Sequence, residues 1–265
     1  MNPIITAFAN GIKKSGVELS NIVVVSDIPF EPEIIKDLGV DFFHVTRGRA
    51  IAFGTGLKLG NPDLKIVAFI GDLMTLGGNH LVHSGRRNME MLVICVNNFI
   101  YKEIAGTTAP SVSSPSETGK KFHGTGGFSA FSTFEKPFNA PHLANSCGAV
   151  FTARWTAMHT NELTNSIANA LDKRGFSVIE VLSPGPNFYK DINQINSELL
   201  DFYYKNSITK NNEDTRNVEI TPEEKIITGD FTDKEKSPFI DTYNAQLGKI
   251  LGDKFIPHGG QSGRD

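Results

Sequence analysis

Five short apolar runs, rich in β-branched residues and each cut off by polar or turn-forming residues, constrain this chain more than anything else in it. They are "NIVVVSDI" (21–28), "KIVAFIGD" (65–72), "MLVICVNN" (91–98), "AVFTARW" (149–155) and "FSVIEVLSP" (176–184). Runs this short and continuous read as buried strands. Segments with helical spacing lie around them. Residues 2–15 carry Ile4, Ile5, Phe8, Ala9 and Ile12; 48–60 is a small-residue helix stopped by Gly60 and Pro62; others fall at 75–88, near 141–148 and at "NELTNSIANALDKRG". "VDFFHVTR" adds a further strand after the first run. Strands alternating with helices predict an α/β fold with a doubly wound, mostly parallel sheet.

The alternation ends near residue 190. We therefore expect a main domain over 1–190 and a C-terminal extension over 191–265 that packs on it or on a partner. In the extension "NVEIT" is strand-like and "PFIDTYNAQLGKIL" helix-like, whereas "PHGGQSGRD" reads as a frayed end. The Gly-, Ser- and Thr-rich stretch 102–135 has little periodicity, and loops of that length are functional or mobile. A formal charge of −3 gives no reason to expect nucleic acid or an anionic membrane as partner. No apolar run reaches membrane-spanning length, and the first residues lack a signal peptide's basic front and cleavage site, so the expected compartment is the cytoplasm. The only cysteines, Cys95 and Cys147, sit in apolar settings and read as buried structural thiols.

Gly71-Asp72 ends one strand and Asn97-Asn98 ends another, with a helix between. Open α/β sheets bind ligands beyond such strand ends. A carboxylate and an amide there look like half of an oxygen cage, which a hard cation such as Mg²⁺ requires. Asp72 would give the carboxylate, Asn98 the amide oxygen and Ile100 a backbone carbonyl. Gly71, Gly77 and Gly78 would let a diphosphate approach a helix start, where N–H groups and the dipole favour anions. Taken alone, an Asp before a helix is more often an N-cap, and paired Asn a turn. His80 and His83 have metal-ligand spacing, but zinc needs further ligands, so packing and hydrogen bonding is the better reading.

The surroundings decide the matter. "TRGRAIAFGTGLKLGNPDLKIVAFIGD", "LGGNHLVHSGRRN", "VNNFIY", "FEKPFNAPHLANSCGAVFTARWT" and "GFSVIEVLSP" occur in this order. Together they resemble the β subunit of 2-oxoacid:ferredoxin oxidoreductases, in the 2-oxoglutarate or pyruvate branch, over roughly residues 4–190. The resemblance implies a thiamine diphosphate-binding fold of the diphosphate type, with Mg²⁺ on Asp72, Asn98 and Ile100. It also implies that His44, Thr46, Arg47, Gly48 and Arg49 approach the cofactor and that Gly77, Gly78, Asn79 and His80 lie beside its diphosphate. Leu73 and the loop residues Tyr101, Lys102 and Ile104 complete the set. The activating glutamate comes from the α subunit in this family, so that subunit is implied as an obligate partner. The other implied partners are ferredoxin or another cluster-bearing subunit, a 2-oxoacid and coenzyme A.

The departures from the family pattern carry weight too. The family holds a [4Fe–4S] cluster on four cysteines. The Cys-Pro-x-Cys run before "IITAFANGI" is missing; "GIGC" is "DIPF" here, with Phe30, and the "SPC" turn is "SPGP", with Gly185. An iron–sulfur cluster needs thiolates, so none is expected on this chain. The family's Gly-Asp-Gly is Gly71-Asp72-Leu73, its "HGRA" carries Arg47 for histidine, and its "IYGMTGGQ" reads "IYKEIAGT", with Lys102, Ile104, Ala105 and Thr107. Arg47 and Lys102 offer charge to phosphate while Ile104 loses a hydroxyl. Two alternatives stay open: a non-oxidative thiamine-dependent 2-oxoacid decarboxylase, and a degenerate structural paralogue.

Overall fold

A computed structural model describes residues 3–28, 37–71, 77–97, 138–183, 200–221 and 224–259. Helix α1 (Pro3–Ser15) leads into strands β1 (Ile22–Ser26) and β2 (Asp41–His44). Then come α2 (Ala50–Gly60), β3 (Lys65–Ile70), α3 (Gly78–Arg87) and β4 (Met91–Asn97). After them follow α4 (Ala140–Ser146), β5 (Phe151–Thr156), α5 (Thr160–Asp172) and β6 (Phe176–Leu182). Each strand expected from the apolar runs is present, with ends that lie within two residues of those of the runs.

The strands form one sheet in the order β2-β1-β3-β4-β6-β5, extended by β8 (Ile226–Asp233) and β7 (Ser207–Thr209). All pairings from β2 to β5 are parallel; β8 runs antiparallel to β5 and parallel to β7. Strands buried on both faces explain the near-continuous apolar runs. On one face Leu92, Ile94, Ile179 and Val181 pack against Phe8 and Ile12 of α1 and Leu163 and Ile167 of α5. On the other, Val93, Cys95 and Val178 meet Ile51 of α2, Leu81 of α3 and Ala144 of α4. The two helices of the first face touch at Gly11, where an added Cβ would stand 2.6 Å from Ile167 Cγ2. Any side chain there forces the pair apart, at a cost of about 1–3 kcal/mol.

The extension contributes strands to this sheet. "PFIDTYNAQLGKIL" does become a helix, α6 (Phe239–Leu251). "NVEIT" does not become a strand. Asn217 closes a short 3-10 turn after Asp214, whose carboxylate accepts the Arg216 N–H at 2.9 Å. Val218 and Ile220 then bury their side chains without joining a ladder. The Val218 carbonyl instead accepts a hydrogen bond from the buried Arg154 guanidinium. Asn88, left-handed at the end of α3, ties the extension down. Its amide donates to the carbonyls of Lys236 (2.8 Å) and Ser237 (3.1 Å) and accepts from the Phe176 N–H (2.9 Å). Cys95 is buried as expected, but Cys147, capping α4, is only half-buried.

Candidate functional site

Strands β1 to β4 all point the same way, so their C-terminal ends share one edge of the sheet. The chain steps from β1 outward to β2, then returns to place β3 on the other side of β1. That reversal is the topological switch point, where a crevice opens beyond the strand ends. Asp27 stands there, directly after β1 and 4% exposed. Its backbone N–H reaches the Phe69 carbonyl of β3 (3.1 Å). Its carboxylate accepts the Gly48 N–H at 2.8 Å through Oδ2 and the Gly71 N–H at 3.1 Å through Oδ1. One side chain thus holds the exits of both flanking strands.

The exit from β2 is a tight turn. The Val45 N–H bonds the Ser26 carbonyl (2.9 Å), the Arg49 N–H bonds the Thr46 carbonyl (3.0 Å), and Gly48 adopts φ 73°. Only glycine takes that conformation without strain. Around the turn His44, Thr46 and Arg49 are exposed and Arg47 is half-buried. The exit from β3 is equally close. A Cβ at Gly71 would lie 2.7 Å from Ile28 Cγ2, a branched atom with little room to yield.

Helix α3 starts at Gly77 and Gly78 with no side-chain cap, so its first-turn N–H groups favour an anion. The Asn79 side chain accepts the His80 N–H at 3.0 Å. Nε2 of His80 is buried and has no hydrogen-bond partner. Burial, then the positive charge of Arg49, then that of His83, holds the His80 imidazole below its ordinary range. The sequence-derived residues Arg49 and His80 are therefore neighbours electrostatically. An orphaned ring nitrogen, uncapped helix N–H groups and the nearby charge of Arg49 fit a diphosphate. Of the remaining expected residues, Asp72, Leu73, Asn98, Ile100, Tyr101, Lys102 and Ile104 lie outside the described residues. Among the described residues no group of His, Cys, Asp or Glu side chains forms a metal site.

The other half of the edge carries a polar ladder that sequence reasoning passed over. Glu180 of β6 lies beside Arg154 of β5 in register, 1% and 0% exposed. Glu180 Oε2 accepts Arg154 Nε at 2.6 Å, and Oε1 accepts the Asn97 side-chain amide of β4 at 2.8 Å. Asn97 also takes the Ser183 N–H on its carbonyl (3.1 Å). The signal was present: a lone Glu in "FSVIEVL" and a lone Arg in "FTARW" must pair if those strands are buried. Asp27 gave no such signal, because an Asp at a strand end reads as an ordinary turn residue.

Residues 32–181 match the model of the thiamine pyrophosphate enzyme C-terminal TPP-binding domain. The 2-oxoglutarate synthase subunit KorB of Methanothermobacter thermautotrophicus is 37% identical over 238 residues, 87% of this chain and 79% of that one. Its counterpart in Methanocaldococcus jannaschii is 33% identical, over 93% of this chain and 90% of that one. The 2-oxoacid:ferredoxin oxidoreductase subunit beta of a Sulfolobus species is 35% identical over 72% and 61%. Among solved structures, the 2-oxoglutarate:ferredoxin oxidoreductase of Magnetococcus marinus superposes with a TM-score of 0.70 at 22% identity. The superposition covers 99% of this chain and 87% of that one, and it establishes a common fold. The chain belongs to the family of thiamine diphosphate-dependent 2-oxoacid:ferredoxin oxidoreductase β subunits.

Proposed function

We propose that this subunit holds the diphosphate of thiamine diphosphate at the β1/β3 switch point, with Mg²⁺ on Asp72, Asn98 and the Ile100 carbonyl, in an enzyme acting on 2-oxoglutarate. The overall reaction takes a 2-oxoacid, coenzyme A and two oxidised ferredoxins to the acyl-coenzyme A, carbon dioxide, two reduced ferredoxins and a proton. The observation that carries the reading is the buried, unpartnered Nε2 of His80 beside the glycine-led start of α3. When bound, thiamine diphosphate supplies the carbon nucleophile and the electron sink for loss of carbon dioxide. The chain's own residues do the holding. The α3 N–H groups and His80, kept neutral by burial, donate to phosphate oxygens, and Arg47 and Arg49 offset the charge. Two relatives named as 2-oxoglutarate synthase subunits support 2-oxoglutarate as the substrate.

A glutamate on the α subunit completes the site, so activity requires that partner. The chain has two cysteines, one inside β4 and one at the end of α4, whereas a [4Fe–4S] cluster uses four thiolates. Electrons therefore leave through ferredoxin or a cluster-bearing partner subunit rather than through a cluster on this chain. We place the assembly in the cytoplasm, where two free thiols are at home. The same shortage of cysteines favours, as a second reading, a decarboxylase that needs no electron exit. Product analysis separates the two. The complex with its partner, given 2-oxoglutarate, coenzyme A and a viologen acceptor, is expected to form the thioester and reduce the dye. Aldehyde with no dye reduction would establish the decarboxylase instead.

A further inference from the structure

We propose that Asp27 is a positioning residue whose carboxylate sets where the chain leaves β3, and through it the affinity of the site for Mg²⁺. The inference rests on the reading above, in which residue 72 is a metal ligand. A metal ligand is only as well placed as the residue that precedes it in the chain. Here that residue is Gly71, and its N–H is bound by Asp27 Oδ1 at 3.1 Å. The second oxygen binds the Gly48 N–H at 2.8 Å, so the same carboxylate locks the turn that opens α2.

The clasp is itself rigidly held. The Asp27 N–H bonds the Phe69 carbonyl of the adjacent strand (3.1 Å). Ser26 Oγ donates to the Ile28 carbonyl (2.8 Å) and accepts the Ile28 N–H (3.1 Å), fixing the backbone on either side of Asp27. Ile28 in turn packs where a Cβ on Gly71 would fall. Among the described residues of β1, β2 and their exits, no other acidic residue is buried. The carboxylate also adds negative charge next to the exit toward residue 72, which favours a cation there. The Gly48 N–H is already engaged, so a phosphate cannot use it without displacing Asp27.

The test is made on the complex with the partner subunit, with Asp27→Ala and Asp27→Asn. The Mg²⁺ concentration for half-saturation at excess thiamine diphosphate is measured, together with amide hydrogen exchange at Gly48 and Gly71 without cofactor. Loss of a group that orients a metal ligand weakens binding about 10–100-fold. That shift is expected for Ala, with faster exchange at both glycines. Asn, keeping one acceptor oxygen, is expected to fall between Ala and wild type, and it carries the test if Ala does not fold. A Mg²⁺ midpoint within twofold of wild type, even with faster exchange, overturns the inference and leaves Asp27 a structural brace. Unchanged exchange overturns the clasp itself. A wild-type complex that binds no cofactor overturns both this inference and the function it rests on.

Discussion

Two buried carboxylates stand at the same edge of one sheet and do different work. Asp27, at the switch point, accepts the backbone N–H groups of two glycines and so organises the exits of β2 and β3. Glu180, inside β6, accepts a guanidinium from β5 and an amide from β4, and so organises the strands themselves. Where a carboxylate's partners are main-chain donors at loop starts, losing it alters geometry locally. Where the partner is a buried full charge, losing it strands that charge in the interior. One half of the edge is tuned for placement and the other for cohesion.

Substitution hurts the cohesive half most. Glu180→Gln leaves the wholly buried Arg154 without its counter-charge, which costs about 3–5 kcal/mol and is read from urea unfolding midpoints. A loss below about 1 kcal/mol would erase the distinction between the two carboxylates, since that is the worth of an ordinary hydrogen bond. Next comes Gly71→Ala. Its Cβ would meet Ile28 Cγ2 at 2.7 Å, so overpacking of about 1–3 kcal/mol is expected in the same assay, with weaker cofactor binding.

Asp230 is a half-buried carboxylate and serves as the control. It accepts from Ser166, whose oxygen takes the Trp155 indole N–H at 2.7 Å, and burial raises its carboxyl above the ordinary 3.8. With the folded value raised, the native state binds the proton more tightly. Stability from this group is present below about pH 3.8 and is lost as pH rises through the raised value. Asp230→Asn removes that loss and keeps the acceptor. Its melting temperature at pH 7 is expected to equal or exceed wild type, unlike either edge carboxylate. The smallest effect belongs to His80, held below 6.5 by burial and Arg49. Its contribution is intact above pH 6.5 and is lost as pH falls toward the lowered value, so His80→Gln should flatten the melting-temperature profile between pH 7 and 5.

The α/β architecture was legible because buried parallel strands need β-branched runs and crossovers need helices, and both patterns survive in one dimension. The tail was less so. "IITGDFTD" hides β8 because Gly229, at φ 149°, and a shift of register opposite Thr152 and Ala153 break its alternation. "NVEIT" alternates correctly yet forms no strand, because the Arg154 guanidinium takes the Val218 carbonyl that a ladder would have used. The site divides in the same way. Gly48, Arg49, Gly71, Gly77 and His80 are proposed from motifs contiguous in sequence. Asp27, Arg154 and Glu180 act across strands on partners 21 to 83 residues away, and only the register brings those partners to them.

We propose that the edge beyond β1 to β4 holds thiamine diphosphate through Mg²⁺. The most direct test is to titrate the complex of this chain and its partner with thiamine diphosphate at saturating Mg²⁺, beside the Asp72→Ala variant. Saturation near one cofactor per αβ pair, abolished by the substitution, is the expected result. No binding in the wild-type complex, or equal binding in the variant, would contradict it.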